Sequence, residues 1–294
     1  MTGGMGRREF LAGAAAGAAA GAASLALSGQ APAEEARDAG GDLGFPLVDF
    51  HVHLDNLGLE KALAISGERG VKFGIVEHAG RKENEYPVVL SSDADLKRHL
   101  AMLEGKGVYK GVQAERLDWM PCFSKETIAR LDYVLTDALT FLEPDGRWVE
   151  LWKTEKVKIP DKQDFMERYV AHHLRVIHEE PIDILANGTF LPQALQGEFD
   201  ALWTADRMKR IIEAAVSCHV AIEINSSFRL PRPAFLKMAK AAGATFSFGS
   251  NHRGPNVGKL DYCVEMAKAL GLKREDLFTP APPGKKPVEV RKFG

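Results

Sequence analysis

Five short apolar runs in this chain each end in a side chain that can bind a metal ion or move a proton. The first is Val48-Asp49-Phe50-His51-Val52-His53. A His-x-His pair at the end of a strand sets both imidazoles on one side, because side chains alternate along a strand. Two ring nitrogens on one side can share a metal ion. The plainer alternative is one core histidine and one surface histidine. The second run is Gly74-Ile75-Val76-Glu77-His78 and the third is Gly111-Val112-Gln113-Ala114-Glu115, which ends in a carboxylate. The fourth, Ala221-Ile222-Glu223-Ile224-Asn225, leads into Ser226-Ser227, and the fifth is Phe248-Gly249-Ser250-Asn251-His252-Arg253. Any one of these alone is weak. Five such endings together point to one assembled site.

The elements that would position them follow from hydrophobic patterning. Strand-like runs lie at Leu47–Phe50, Lys72–Val76, Tyr109–Val112, Tyr133–Thr136, Ile182–Ala186, Val220–Ile224 and Thr245–Phe248. Between them lie helix-like stretches, among them Asp93–Glu104, Asp164–Glu179, Asp206–Cys218, Ala234–Ala242 and Lys259–Leu270. In the last, Leu260, Val264, Ala267 and Leu270 recur at helical spacing. Strand and helix in alternation call for a parallel sheet with helices outside. Seven such units over about 250 residues suit a β/α barrel, whose sites sit at the carboxyl ends of the strands. One connection is unusual. Residues 140–162 contain the turn signal Pro144-Asp145-Gly146 flanked by Trp148 and Trp152. They read as an inserted hairpin, either beside the site mouth or as a plain surface ribbon. Residues 273–294, rich in Lys and Pro, read as an extended tail.

The chain has 294 residues, 45% of them hydrophobic, and a net charge of −2. That is enough for a sizeable core, and it marks neither a nucleic-acid binder nor a membrane-surface binder. The three cysteines, Cys122, Cys218 and Cys263, form no CxxC pair and cannot be a disulfide framework. Residues 1–33 read as an export signal: Arg7-Arg8 before Phe10-Leu11, a soft Ala/Gly run, then Ala31-Pro32-Ala33. The arginine pair is of the twin-arginine type, which implies that export machinery as a partner and a periplasmic or extracellular destination. The apolar run is too Ala/Gly-rich for a firm membrane span. Residues 34–44 read as a flexible tether and residues 45–272 as the barrel.

The opening His51-x-His53, the Glu77-His78 strand end and the block from Glu223 to Leu272, with Ala239, Gly243, Gly249, Ser250 and Gly258, resemble the PHP (polymerase and histidinol phosphatase) family. The resemblance implies a distorted seven-stranded β/α barrel that binds divalent metals and hydrolyses phosphoesters. By resemblance His51, His53 and His78 are metal ligands. The family's bridging carboxylate falls at Gln113, so Glu115, two residues on, is the substitute. On the strand Asp132–Leu139 the usual His is missing and Asp137 is the nearest ligand. The family's His-Pro strand end is Asn187-Gly188, and its final Asp is Asn251, with a histidine displaced to His252. Amide oxygens suit magnesium, calcium or manganese better than zinc, so one or two divalent ions (Zn, Mn or Mg) are expected rather than three.

The resulting expectation is a metal-dependent hydrolase acting on a small anionic substrate, such as a phosphoester or acidic sugar. Glu115 and Asp137 would do acid–base work. The metal would sit among His51, His53, His78, Glu115, Asn251 and His252. Arg81, Arg229 and Arg253, together with Asn225, are the expected substrate contacts, since guanidinium forks match phosphate and carboxylate. Two alternatives stand beside this reading. One is an amidohydrolase-type barrel, which also opens with His-x-His but needs a late-strand aspartate where this chain has Asn251. The other is a degenerate barrel that binds an anionic or sugar ligand without catalysis. His172, His173 and His178 read as a solvated helix face, and His99 and His219 as structural.

Overall fold

The computed structural model describes residues 43–83, 86–143, 145–153, 157 and 159–291. The segment read as an export leader and nearly all of the segment read as a tether lie outside the described residues. The strands are β1 (Val48–Val52), β2 (Lys72–Ile75), β3 (His78–Ala79), β4 (Val89–Leu90), β5 (Tyr109–Ala114), β6 (Tyr133–Asp137), β7 (Thr140–Leu142), β8 (Trp148–Glu150), β9 (Ile184–Ala186), β10 (Ala221–Asn225) and β11 (Phe246–Gly249). The helices are α1 (Leu59–Arg69), α2 (Asp93–Leu103), α3 (Lys125–Ile128), α4 (Lys162–Glu179), α5 (Phe199–Leu202), α6 (Ala205–Ser217), α7 (Pro233–Ala241), α8 (Asp261–Leu270) and α9 (Pro287–Val290).

The main sheet runs β1-β2-β5-β6-β9-β10-β11, all parallel, and β3 extends the line of β2 beside β5. β11 returns to β1: Ser250 N–H donates to Asp49 Oδ1 at 2.9 Å and Asn251 N–H to the His51 carbonyl at 3.2 Å. The result is a nearly closed seven-stranded α/β barrel, the architecture that the strand–helix alternation implies. Local chemistry sets the helix ends. Ser92, Asp161 and Thr204 cap the starts of α2, α4 and α6 by accepting backbone N–H groups. Gly70 and Gly271 end α1 and α8 in the left-handed conformation.

The barrel interior has an apolar floor and a polar top. In the floor, Phe50, Tyr133, Leu135 and Ile184 pack together, and Tyr133 donates its hydroxyl to the Phe50 carbonyl at 2.8 Å. The Tyr133 ring lies against β2 and β5, where any side chain at Gly74 or Gly111 would collide with it. The segment after Leu272, expected as an extended tail, is packed on the barrel and includes a helical turn at Arg274–Asp276 and α9. Phe278 closes the floor against Phe50 at 5.1 Å between ring centroids, and its N–H donates to the Phe246 carbonyl at 2.8 Å.

The stretch after β6 forms the antiparallel hairpin β7–β8. One expectation is corrected on α4: His172 and His173 are buried, and only His178 is exposed. The apolar stripe of α4 is broad enough to carry both rings inward. His173 Nδ1–H donates to the Tyr169 carbonyl at 2.8 Å, and its ring packs edge-on against Tyr169 and Trp203. Among the described residues, no helix is long and apolar enough to cross a membrane.

Candidate functional site

A buried polar network spans the carboxyl ends of the strands. Its centre is β1, which carries one extra residue between Asp49 and Val52 relative to β2. A bulge of this kind re-aims neighbouring side chains. Here Phe50 packs into the floor while His51, the next residue, enters the site. Asp49 holds the bulge, accepting from the N–H groups of His51 (3.0 Å), Ser250 (2.9 Å) and Gly258 (2.9 Å).

His51 Nε2 and His53 Nε2 both lie 3.1 Å from Gln113 Oε1, on β5. The other end of that amide donates to Glu115 Oε1 at 3.2 Å and Asp137 Oδ2 at 3.4 Å. This orientation satisfies both ends of the carboxamide, so each of the two imidazoles carries hydrogen on Nε2. Behind His51, Nδ1 meets Glu223 Oε1 at 2.6 Å. Burial by itself would lower the pKa of His51, but the Glu223 carboxylate outweighs it and raises the value. His53 is held well below the ordinary range by burial, and then by the charges of His78, His51 and Arg253. Its Nδ1 is buried without a hydrogen-bond partner.

Glu223 reaches His51 only because residue 249 is glycine: a Cβ there would collide with the Glu223 carboxylate and lie 2.9 Å from His51 Cβ. The second Glu223 oxygen accepts from Asn187 N–H (3.1 Å) and Asn225 Nδ2 (3.0 Å). Asn225 Nδ2 also reaches Asn187 Oδ1 (2.9 Å), while its own Oδ1 accepts from Phe228 N–H (3.0 Å). Asn225 is therefore fully buried and committed to positioning Glu223 and the following turn. Asn187 closes the row by donating to Asp137 Oδ2 at 3.2 Å.

On the other flank, His78 Nδ1–H donates to Glu115 Oε1 at 2.7 Å, and Tyr86 donates its hydroxyl to Glu115 Oε2 at 3.0 Å. His78 Nε2 faces Arg253 Nη2 at 3.3 Å, and Arg253 Nε donates to Asp55 Oδ2 at 2.7 Å. Rings stack across the mouth. His53 and His78 lie 4.7 Å apart at 19°, His78 and Tyr86 3.7 Å apart at 10°, and Trp152, just after β8, stands 6.2 Å from Tyr86. The hairpin thus borders the site. Burial pushes the Glu115 carboxyl up to about 8, against the hydrogen bonds from Tyr86 and Gln113. Burial and then the neighbouring Glu115 push Asp137 up to about 6. Burial and then Asp55 raise Glu77 to about 7.

Of the three histidines expected to bind metal, His51 and His53 aim at one atom, and His78 aims at Arg253. Asn251 has φ +46, a left-handed conformation that asparagine tolerates, and its backbone N–H serves the His51 carbonyl. His252 is partly exposed, and the charges it feels are Asp49, Lys259, Arg69 and Asp261. Among the expected arginines, Arg253 joins the network. Arg81 pairs with Asp118 at the surface, 2.6 Å away. Arg229 pairs with Glu265 at 2.7 Å and lies 4.6 Å over the Tyr262 ring, in a separate cavity of about 380 Å³.

Sequence reasoning passed over two participants. Asp55 continues the two-residue spacing of His51 and His53, a usable signal. Tyr86 sits in an irregular connection and carries none.

No family model matches the chain, and no curated protein does. Among solved structures, a histidinol phosphate phosphatase from Lactococcus lactis, complexed with zinc, L-histidinol and phosphate, aligns with a TM-score of 0.58. The alignment covers 84% of this chain and 99% of that one, at 14% identity. The two chains share a fold. A truncated 3-deoxy-D-arabino-heptulosonate 7-phosphate synthase from Thermotoga maritima reaches only 0.31 at 14% identity, covering 81% and 90% of the two chains.

The donors at the His51–His53 point suit a single divalent ion. Two imidazole nitrogens meet there, and a carboxylate backs His51, as is usual for metal-bound histidine. Among the described residues no three His, Cys, Asp or Glu side chains are grouped to hold an ion. A site at this point therefore draws on the Gln113 amide.

Proposed function

We propose that this chain is a metal-dependent, phosphoesterase-like hydrolase with one divalent ion, acting on a small anionic substrate such as a phosphoester or acidic sugar. The observation that carries the reading is the convergence of His51 Nε2 and His53 Nε2 on one atom, 3.1 Å from each. The shared fold supports it, since the Lactococcus phosphatase holds zinc and phosphate. A divalent ion at this point supplies Lewis-acid polarisation of a phosphoryl or carbonyl oxygen. Its binding would displace the Nε2 hydrogens of both rings, so affinity falls as pH falls. Glu223 keeps His51 in register and balances its charge. Asp137, partly exposed on the mouth side, and Glu115, buried and held by three donors, are the groups that take up or release a proton. Arg253 faces solvent with 42% of its side chain and supplies the positive charge for the substrate's anionic group.

Metal content of the purified protein, with turnover of a generic phosphomonoester, tests the reading. His51→Ala and His53→Ala should each remove both metal and turnover. Metal-free wild-type protein that takes up no zinc or manganese on titration would refute it.

A second reading has one observation in its favour: the Gln113 amide already fills the meeting point of the two imidazoles, in a connected row of side-chain contacts that runs from Asn225 to Asp55. On that reading the barrel binds an anionic or sugar ligand without catalysis, and ligand binding with no turnover at any metal concentration would select it.

The Arg7-Arg8 signal and the Ala31-Pro32-Ala33 ending support twin-arginine export and a mature start near Glu34. Residues 1–33 retained on exported protein, or export that survives Arg7→Lys with Arg8→Lys, would sink it.

A further inference from the structure

We infer that the Arg253 guanidinium is a resident cation that takes the coordinating nitrogen of His78, so that His78 serves as its anchor and not as a metal ligand. The inference rests on the one-ion reading above and deepens it, because it explains which part of the site remains open to metal and which part is given to the substrate's anion.

Three observations carry it. His78 Nδ1–H is committed to Glu115 at 2.7 Å, which leaves the Nε2 lone pair as acceptor. That lone pair faces Arg253 Nη2 at 3.3 Å, so a guanidinium N–H stands where an ion would have to bind. Next, the His53 and His78 rings are stacked 4.7 Å apart at 19°. Ring-nitrogen lone pairs lie in the ring plane, so two nearly parallel stacked rings do not direct them at one ion. Finally, Arg253 is tied at its inner end. Its Nε donates at 2.7 Å to Asp55, whose side chain is fully buried, while 42% of the arginine side chain remains exposed.

A guanidinium has five N–H donors. Two of them go to Asp55 and His78, and the other three are left for a ligand at the mouth. A fork fixed at one end and open at the other matches the two oxygens of a phosphate or carboxylate. Beneath it, Asp55 Oδ1 and Glu77 Oε2 are buried without hydrogen-bond partners. Without the guanidinium, the His78 Nε2 lone pair and the Asp55 carboxylate would face no cation.

The test is zinc stoichiometry, read by mass spectrometry of dialysed protein and by calorimetric titration. Wild type should take one zinc per chain and Arg253→Gln should take two. Arg253→Lys, which keeps the cation, should stay at one. His78→Ala in the Arg253→Gln background should return the count to one. Inorganic phosphate should bind at least tenfold more weakly to Arg253→Gln than to wild type.

A second measurement uses the wild-type protein alone. The side-chain 15N resonances of His78 should report an Nδ1–H tautomer and stay in place when zinc is added to saturation, while those of His51 and His53 move. Arg253→Gln with the wild-type zinc count, or a His78 Nε2 resonance that moves on zinc binding, overturns the inference. Should Arg253→Gln fail to fold, the His78 resonances decide alone. If wild type takes no zinc at all, the proposed hydrolase reading fails separately. A gain of one ion on Arg253→Gln would still uphold the role of Arg253.

Discussion

Replacing Gln113 by glutamate puts a carboxylate at the point where the two imidazoles meet. In the wild-type protein the Gln113 amide donates to Glu115 at 3.2 Å and Asp137 at 3.4 Å. Gln113→Glu exchanges both hydrogen bonds for oxygen–oxygen contacts between carboxyls. Two unit charges about 3.3 Å apart repel by roughly 5 kcal/mol at an effective dielectric of about 20. Proton uptake by the three carboxyls relieves most of this, so the metal-free variant should lose about 2–4 kcal/mol of stability. For a body of this size that is a fall in Tm of roughly 5–15 °C. A divalent ion reverses the sign, because the added carboxylate becomes a charged ligand beside two imidazole nitrogens. Zinc should therefore bind at least tenfold more tightly to Gln113→Glu than to wild type, and raise its Tm by more. Calorimetric titration and thermal denaturation with and without zinc measure both effects. Equal zinc affinity in the two proteins would show that the meeting point is not a metal position. An unchanged metal-free Tm would show that Gln113 does not lie between the carboxyls.

Gly249→Ala forces Glu223 away from His51, and the collision should cost about 2–4 kcal/mol and lower metal affinity; a wild-type Tm by calorimetry would contradict the close approach. Asn251→Ala should cost about 1–2 kcal/mol, because its φ of +46 suits Asn better than Ala, and leave zinc stoichiometry unchanged; a lost ion would make the Asn251 side chain a ligand. Glu180 tests pH dependence away from the site: burial raises its folded-state value to about 7, and Trp119 Nε1–H donates to it at 2.6 Å. Between its ordinary value of 4.5 and about 7 the folded chain keeps a proton that the unfolded chain has lost, so this group's contribution to stability falls as pH rises through that window. Glu180→Gln should be more stable than wild type at pH 8, by up to about 3 kcal/mol, and the difference should vanish toward pH 4.5; parallel denaturation curves at all pH values would refute the burial cause.

Hydrophobic periodicity by itself was enough to place the strands and the helices between them, while closure into a barrel was an expectation from the family resemblance. All seven strand-like runs lie within two residues of β1, β2, β5, β6, β9, β10 and β11 at both ends, and five helices appear where the amphipathic stretches place them. Such patterns are local, since each strand must be apolar enough to lie between neighbours and each helix must show one apolar stripe. The strand ends that gather chemistry were legible for the same reason: chain direction in a parallel sheet fixes which end of every strand faces the mouth. Partnership was not legible. His78 and Arg253 are 175 residues apart, and His51 and Glu223 are 172 apart. Nothing in the spacing says that a guanidinium, and not an ion, faces His78. The bulge in β1, the room that Gly249 leaves for Glu223 and the inward turn of His172 and His173 depend on how the curved sheet brings distant strands and helices together. Sequence sets the kinds of groups and the end of the barrel that receives them. Packing between distant segments decides which lone pair meets which hydrogen, and that decision sets how many ions the site can take.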